Sequence, residues 1–202
     1  MLHILSITYF HQLIFDTPNL PQFISRTPRL KAHDEASVVI SDSGVRLASM
    51  RLFARGFQVE LEVPYREPDW PSVFAQACRS SSARSFTSSL ENLYIRERKL
   101  AWDDYTENAQ WLELLEPFTA VKNLYLFKEL TPRIATVFQE LVGEGVVEIL
   151  PALQGLFLEE VNSAGPVQEA IGQFVAARQL SSHPIAVSHW AKRQDEWLGE
   201  DD

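Results

Sequence analysis

Apolar residues recur along this chain in one repeated pattern, L-x-x-L-x-L, in which another apolar residue can stand for leucine. Residues 90–95, 121–126 and 153–158 carry the pattern. These segments begin 31 and then 32 residues apart. Self-similarity at such a spacing is typical of a solenoid, in which each unit buries its apolar face only against its neighbours. The pattern therefore predicts stacked units that each contribute a strand and a helix.

The repeated pattern is that of a leucine-rich repeat, in which a short strand lines the concave wall and a helix covers the convex side. The spacing exceeds the usual period of roughly 20–29 residues, so the units are expected to be irregular. Residues 57–63 alternate strictly between apolar and polar, and no helix fits between residues 40 and 57. We therefore expect an α/β fold: an irregular leucine-rich-repeat solenoid of about six units with parallel concave strands, helices on the convex side and a small antiparallel insertion at residues 38–63.

Helix signals lie between the predicted strands. Proline in the first turn marks helix starts near residues 16–18, 69–71, 131–132 and 165–166. The Ser-rich residues 80–89 are expected to form a loop. A strand at residues 184–188 and a polar helix with Trp190 and Trp197 are expected to begin a C-terminal cap and acidic tail that together span residues 184–202. The whole chain, residues 1–202, is then a single leucine-rich-repeat-like domain.

The composition of the chain argues against two classes of binding partner, nucleic acid and anionic membranes. The 202-residue chain has 46% hydrophobic residues, enough for a substantial core, and a formal charge of −9. An acidic chain lacks the basic footprint that nucleic acid and anionic membranes require, so neither partner is expected. The one cysteine, Cys78, cannot form an internal disulfide, and no apolar run reaches the ~18 residues of a membrane span. These features favour an intracellular protein of the cytoplasm or nucleus.

The side chains that face the concave wall are the candidate partner-binding residues. Because strand side chains alternate, the two later leucines of each pattern point to the core, and the positions between and beside them point to the wall. The candidates at those positions are Asn92, Tyr94, Arg96, Asn123, Tyr125, Phe127, Phe157 and Glu159, and the remaining position holds Gly155. The middle position is aromatic in all three units. Such a ladder can be a binding hot spot, or its cross-strand pairs can serve only to stabilise the sheet.

No residue pattern predicts catalysis, a cofactor or a metal. Residues 33–35, with the sequence His-Asp-Glu, are the densest cluster of titratable groups. Only His33 and Glu35 can converge there, because neighbouring strand residues point to opposite faces, and two ligands are too few for a dedicated metal site. We expect a solvated edge strand instead. The chain also lacks the motifs of nucleotide-binding loops, serine hydrolases and zinc proteases, so an enzyme is not expected.

Longer phrases of the sequence resemble the C-terminal leucine-rich-repeat region of F-box proteins from basidiomycete (mushroom-forming) fungi. The phrases are residues 110–126, 132–135, 139–143, 150–154, 165–171 and 174–180, and the resemblance covers essentially the whole chain. It implies a non-catalytic protein-recognition module, similar to the substrate-binding half of an F-box protein in a cullin-RING ubiquitin ligase.

The chain departs from that family at its N-terminus. No Leu-Pro-rich helical F-box segment precedes Leu2, and residues 2–7 already fit the repeat pattern. We therefore expect no binding to the ligase adaptor, and we expect this chain to be the C-terminal part of a longer architecture. Two alternatives stay open: a small-ligand receptor that uses the concave face, and a truncated family member without a retained function. The target itself is not predicted.

Overall fold

The computed structural model describes residues 3–8, 34–41, 44–49, 57–64, 70–97, 108–143, 145–159 and 165–191. The strands in these ranges are β1 (His3–Thr8), β2 (Glu35–Ser41), β3 (Gly44–Ser49), β4 (Phe57–Pro64), β5 (Asn92–Glu97), β6 (Asn123–Leu126), β7 (Gly155–Glu159) and β8 (Ala186–Trp190). The helices are α1 (Trp70–Arg79), α2 (Ser81–Thr87), α3 (Asn108–Leu115), α4 (Thr131–Glu140) and α5 (Pro166–Leu180).

The strands form one open sheet in the order β1-β4-β3-β2-β5-β6-β7-β8. Strands β2, β5, β6, β7 and β8 pair in parallel, whereas β2, β3 and β4 pair antiparallel. The predicted α/β class is confirmed, and an antiparallel segment lies where it was expected. Strand β1 pairs in parallel with β4, so the antiparallel strands lie between β1 and the parallel part of the sheet.

A repeated backbone hydrogen bond aligns the parallel strands. In each case one carbonyl that precedes a strand accepts two successive N–H groups from the chain that enters the next strand. The acceptors are the carbonyls of Asp34, Glu91 and Lys122, and their donor pairs are Glu91 with Asn92, Lys122 with Asn123, and Gln154 with Gly155. The donor–acceptor distances lie between 2.7 and 2.9 Å. Equal bonding at each step fixes the same register between successive units.

The helices bury the leucines of the repeated pattern on one face of the sheet. The buried pattern residues are Leu90, Leu93, Ile95, Val121, Leu124, Leu126, Leu153, Leu156 and Leu158. They share one core with Trp111 on α3, Ile134 on α4 and Phe174 on α5. The rings of Phe138 and Phe174 stack at 4.3 Å and join α4 to α5. This face is therefore closed by helices, and the other face carries the side chains of the candidate site.

Three expectations from the sequence were wrong in detail. Residues 81–87 form helix α2 rather than a loop, because Ala83 and Phe86 are buried in the core and offset the weak helix propensity of serine. Strand β8 spans Ala186–Trp190 rather than residues 184–188. Strand β2 lies between β3 and β5, so Glu35 begins an interior strand and not an edge strand.

Several expectations lie outside the described residues. These are the helix that begins near residues 16–18, His33, the polar helix with Trp197 and the acidic residues 199–202. Within the described ranges, none of the helices has the length and apolar character needed to cross a membrane.

Candidate binding face

The three aromatic residues predicted for the wall form one continuous stack. Tyr94 pairs in register with Tyr125, and Tyr125 pairs with Phe157. The centroids of the Tyr94 and Tyr125 rings are 4.1 Å apart, and those of Tyr125 and Phe157 are 4.5 Å apart. The interplanar angles are 10° and 12°. In-register parallel strands hold equivalent side chains about 4.8 Å apart, which is close to the stacking distance of aromatic rings.

A second row, two residues before the aromatic stack, is polar. Asn123 Nδ2 donates to Asn92 Oδ1 at 2.8 Å, and Gly155 takes the equivalent position on β7. A Cβ on Gly155 would lie 2.7 Å from Asn123 Oδ1, so the close approach of this amide requires glycine. The in-register alignment of the aromatic stack therefore also holds in the polar row beside it.

The third row, two residues after the stack, combines two charged and two aromatic side chains. Arg96 is only 8% exposed and Phe127 is also buried. Glu159 pairs in register with Trp190, and its Oε2 accepts a hydrogen bond from the Lys128 N–H at 3.1 Å. All eight residues predicted for the partner-binding wall thus lie in these three rows, on the side of the sheet opposite the helices.

Trp190 also lies on this side of the sheet. It is the last residue of strand β8, so its predicted place in a polar cap helix was wrong. Its ring centroid lies 6.0 Å from Tyr94, 5.7 Å from Tyr125 and 5.0 Å from Phe127. The interplanar angles are 76°, 86° and 87°, so the indole stands nearly perpendicular to each ring. We call Tyr94, Tyr125, Phe127, Phe157 and Trp190 the aromatic face.

The repeat register could have identified Trp190 as a member of this face. Counting from the paired strands, Trp190 is equivalent to Glu159 and lies two residues after Ser188, the partner of Phe157. The apolar pattern is lost in this unit, because His189 takes the position equivalent to Leu158. Because of that loss, the predicted strand ended at residue 188 and Trp190 was placed in a helix, so the direction of the indole was not predicted.

The buried polar atoms on this side of the sheet include Ser37 Oγ and Trp190 Nε1, for which the described residues supply no hydrogen-bond partner. Ser37 is the register partner of Tyr94 on β2, so its side chain continues the row of the aromatic stack. Buried polar atoms are normally paired, and exceptions in folded proteins often mark a functional position. No sequence pattern identifies either atom, because whether a hydroxyl or an indole N–H finds a hydrogen-bond partner depends on its tertiary neighbours.

The carboxylates on β5 and at the start of β2 belong to Glu97, Asp34 and Glu35. Burial raises the pKa of Glu97, with Arg133 opposing this shift and Glu129 adding to it. Asp34 is exposed and Glu35 is half-buried at the start of β2. Across the described parts of the chain, no group of three His, Cys, Asp or Glu residues could hold a metal ion. The geometry supports ring stacking and hydrogen bonding.

Cys78 lies apart from this face, within helix α1. It is completely buried, and burial raises the pKa of its thiol far above the ordinary value, although Arg79 acts in the opposite direction. A thiol that stays protonated is a poor nucleophile, so Cys78 acts as an apolar core residue.

Comparisons of the chain with models of protein families, with curated proteins and with solved structures gave no match.

Proposed function

We propose that this chain is an irregular leucine-rich-repeat solenoid and a non-catalytic protein-recognition module, and that the aromatic face binds the partner. The resemblance to F-box proteins suggests the substrate-binding half of such a protein. The proposal covers target recognition only and does not extend to a ligase adaptor.

The repeat part of the proposal is supported by three agreeing features of β5, β6 and β7. The strands begin 31 and then 32 residues apart, their leucines are buried under helices, and one carbonyl bonds two N–H groups at each step. A solenoid needs this equivalence, because each unit is covered only by its neighbours. The period stays longer than the roughly 20–29 residues of regular leucine-rich repeats.

The recognition part is carried by the stack of Tyr94, Tyr125 and Phe157, on the side of the sheet opposite the described helices. None of the three belongs to the hydrophobic core, and each remains half-buried. Large rigid aromatic side chains add contact area at a small loss of conformational entropy, and tyrosine is enriched at binding hot spots. The rival interpretation is that the stack serves only to hold the strands together, since cross-strand aromatic pairs stabilise sheets.

A triple alanine variant of the stack distinguishes the two interpretations. Proteins that bind the intact chain are identified by quantitative affinity capture, and one of them is then purified for measurement of its dissociation constant. If the aromatic face binds it, replacement of Tyr94, Tyr125 and Phe157 by alanine weakens binding by about 2 kcal/mol or more, a factor of roughly 30. The variant should still unfold cooperatively.

The control variant replaces exposed residues on the helix side, namely Glu113 on α3, Gln139 on α4 and Glu169 on α5. We expect this control to bind as tightly as the unmodified chain. A stack variant that loses stability but binds its partner unchanged once folded would contradict the proposal. The antiparallel segment at residues 40–63 would then be the better candidate surface.

A further inference from the structure

We infer that Trp190 is a displaceable plug, and that a partner of the proposed binding face inserts a neutral aromatic side chain of the phenylalanine type in its place. This inference rests on the proposed function, because it names the group that the aromatic face would recognise. It is carried by the position of the indole, by its unsatisfied N–H and by the charges on either side.

The indole does not stay above its own strand. Its strand β8 is separated from β5 by β6 and β7, and strands are spaced about 4.8 Å apart, so the two backbones are roughly 14 Å apart. The Trp190 ring nevertheless lies within 6.0 Å of the Tyr94 ring on β5. The side chain therefore extends across the aromatic face and fills the position where a partner's side chain would meet the rings of Tyr94, Tyr125 and Phe127.

Trp190 does not satisfy its hydrogen-bond donor in this position. Edge-to-face contacts with several rings are favourable for any aromatic group. The indole also carries an N–H donor, and Trp190 Nε1 is buried with no acceptor among the described residues. An unmet buried donor favours conformations in which it reaches water. A phenyl ring makes the same edge-to-face contacts and has no donor to satisfy, which is why we specify this type of side chain.

Charge near the face argues for a neutral occupant. The chain as a whole carries a formal charge of −9 and would attract a cationic side chain. Locally, Arg96 follows Tyr94 by two residues on β5 and lies in the same row as Phe127, and both Arg96 and Phe127 are buried. Glu159 on β7 is the register partner of Trp190. A second guanidinium or ammonium group beside Arg96 would be repelled, and a carboxylate beside Glu159 would be repelled likewise.

The strand that holds the plug is weakly anchored. β8 is an edge strand of the described sheet, and Ala186, Val187, Ser188 and His189 are all exposed. Trp190 is the last residue of this strand and pairs only with Glu159. Segments with few buried apolar contacts open at low free energy, so Trp190 can leave the face without unfolding the leucine core.

The test compares four forms of the full-length chain in their affinity for N-acetyl-L-phenylalaninamide, measured by ligand-observed NMR. When an internal group occupies the site, the apparent affinity falls by the fraction of time that the site is open. Trp190→Ala should therefore bind this probe at least about tenfold more tightly than the unmodified chain. Val187→Ala is the matched control, since Val187 lies on the same strand, is 40% exposed and points to the opposite side of the sheet. The double variant Trp190→Ala/Tyr125→Ala should lose binding.

A second measurement separates true displacement from the filling of an engineered cavity. The five tryptophans of the unmodified chain are labelled with 5-fluorotryptophan, and the Trp190 resonance is assigned from its absence in Trp190→Phe. Saturating probe should move the Trp190 fluorine resonance to the position of a solvent-exposed indole. Trp190→Phe itself, which plugs the face without an N–H, should bind the probe more weakly than the unmodified chain.

The outcomes distinguish the plug from the proposed function. The plug is overturned if the folded Trp190→Ala form binds the probe no more tightly, or if the probe binds without moving the Trp190 resonance. Equal or tighter binding of N-acetyl-L-argininamide to Trp190→Ala would overturn the assignment of a neutral aromatic group. Either result could occur while the triple stack variant still loses its protein partner, so the proposed function would stand. If the protein partner bound the triple stack variant as tightly as the unmodified chain, the proposed function would be overturned instead.

Discussion

Gly155 lies directly against the ring of Phe157, and this contact sets the geometry of the aromatic stack at β7. A Cβ built on Gly155 would stand 2.7 Å from Cε2 of Phe157 and 2.7 Å from Oδ1 of Asn123. Real Cβ atoms do not approach other heavy atoms so closely. The glycine is therefore the residue that lets the third ring of the stack and the asparagine row lie side by side.

We expect Gly155→Ala to destabilise the chain by about 1–3 kcal/mol, because the added methyl must displace the ring or the amide. The near-ultraviolet circular dichroism of the stacked rings should change as well. Gly172→Ala is the matched control: Gly172 is exposed within α5 and a Cβ there meets nothing within 4 Å. The control should be stabilising by up to about 1 kcal/mol, because alanine is the better helix former. A neutral Gly155→Ala variant would mean that the ring is not held against this glycine.

The repeated pattern was sufficient to predict strands β5, β6 and β7 and the direction of their side chains. A period of two places Leu124 and Leu126 on one side and Tyr125 on the other, and nothing in the tertiary structure overrides this alternation. The stack itself follows from this alternation, because β5, β6 and β7 pair in the same register.

Local pattern failed where tertiary contacts decide the structure. Helix α2 forms although its sequence is rich in serine, because Phe86 reaches the core beneath it. Trp190 was missed because His189 breaks the apolar pattern of its unit. The role of Gly155 could not be predicted, since it depends on a ring two residues away and an amide on the neighbouring strand.

The repeated pattern also predicts which substitutions should be costly. Leu124 and Leu156 are fully buried, so replacing either by alanine should destabilise the chain by about 2–5 kcal/mol through the cavity left behind. Glu91 and Lys122 form an ion pair at 2.7 Å, but their side chains are 47% and 42% exposed. Replacing either of these by alanine should cost at most about 1 kcal/mol. Urea unfolding of the four variants checks the register, and similar losses for the two pairs would contradict it.

Glu97 should make stability depend on pH. Its pKa is raised in the folded state, chiefly by burial, so the folded chain holds this proton more tightly than the unfolded chain does. Stability from Glu97 is therefore fully present below the ordinary pKa of a glutamate and is lost as pH rises through the folded value. We expect Glu97→Gln to be more stable than the unmodified chain at neutral pH, with a difference that shrinks on acidification.

The measurement for Glu97 is urea unfolding between about pH 4 and about pH 8, a range that spans the ordinary glutamate pKa. Glu148→Gln is the control, since Glu148 is an exposed carboxylate in a turn. A stability difference between Glu97→Gln and the unmodified chain that grows toward acid pH would contradict the assigned direction of the shift.

Arg178 ties the turn that precedes β7 to helix α5. Its guanidinium is fully buried; Nη1 donates to the carbonyl of Val146 at 3.1 Å, and Nη2 donates to those of Leu150 at 3.3 Å and Leu153 at 3.0 Å. Burial lowers the pKa of Arg178. The guanidinium nevertheless donates to three carbonyls that lie outside the helices and strands. Leu150 has a φ of 52°, a left-handed conformation that bulky residues rarely adopt, so this turn needs an external support.

Replacing Arg178 by methionine keeps much of the volume and removes every donor. Because each buried carbonyl left unpaired costs about 1–3 kcal/mol, we expect a loss of about 3 kcal/mol or more in the free energy of unfolding. Arg178→Lys should recover only part of this loss, since one ammonium group cannot reproduce the planar set of donors of a guanidinium. Gln179→Ala, at the exposed neighbouring position, should change stability by no more than about 0.5 kcal/mol. Urea unfolding gives these values, and amide exchange should accelerate most at residues 146–153. If Arg178→Met were as stable as the Gln179 control, the three hydrogen bonds would not be what holds the turn.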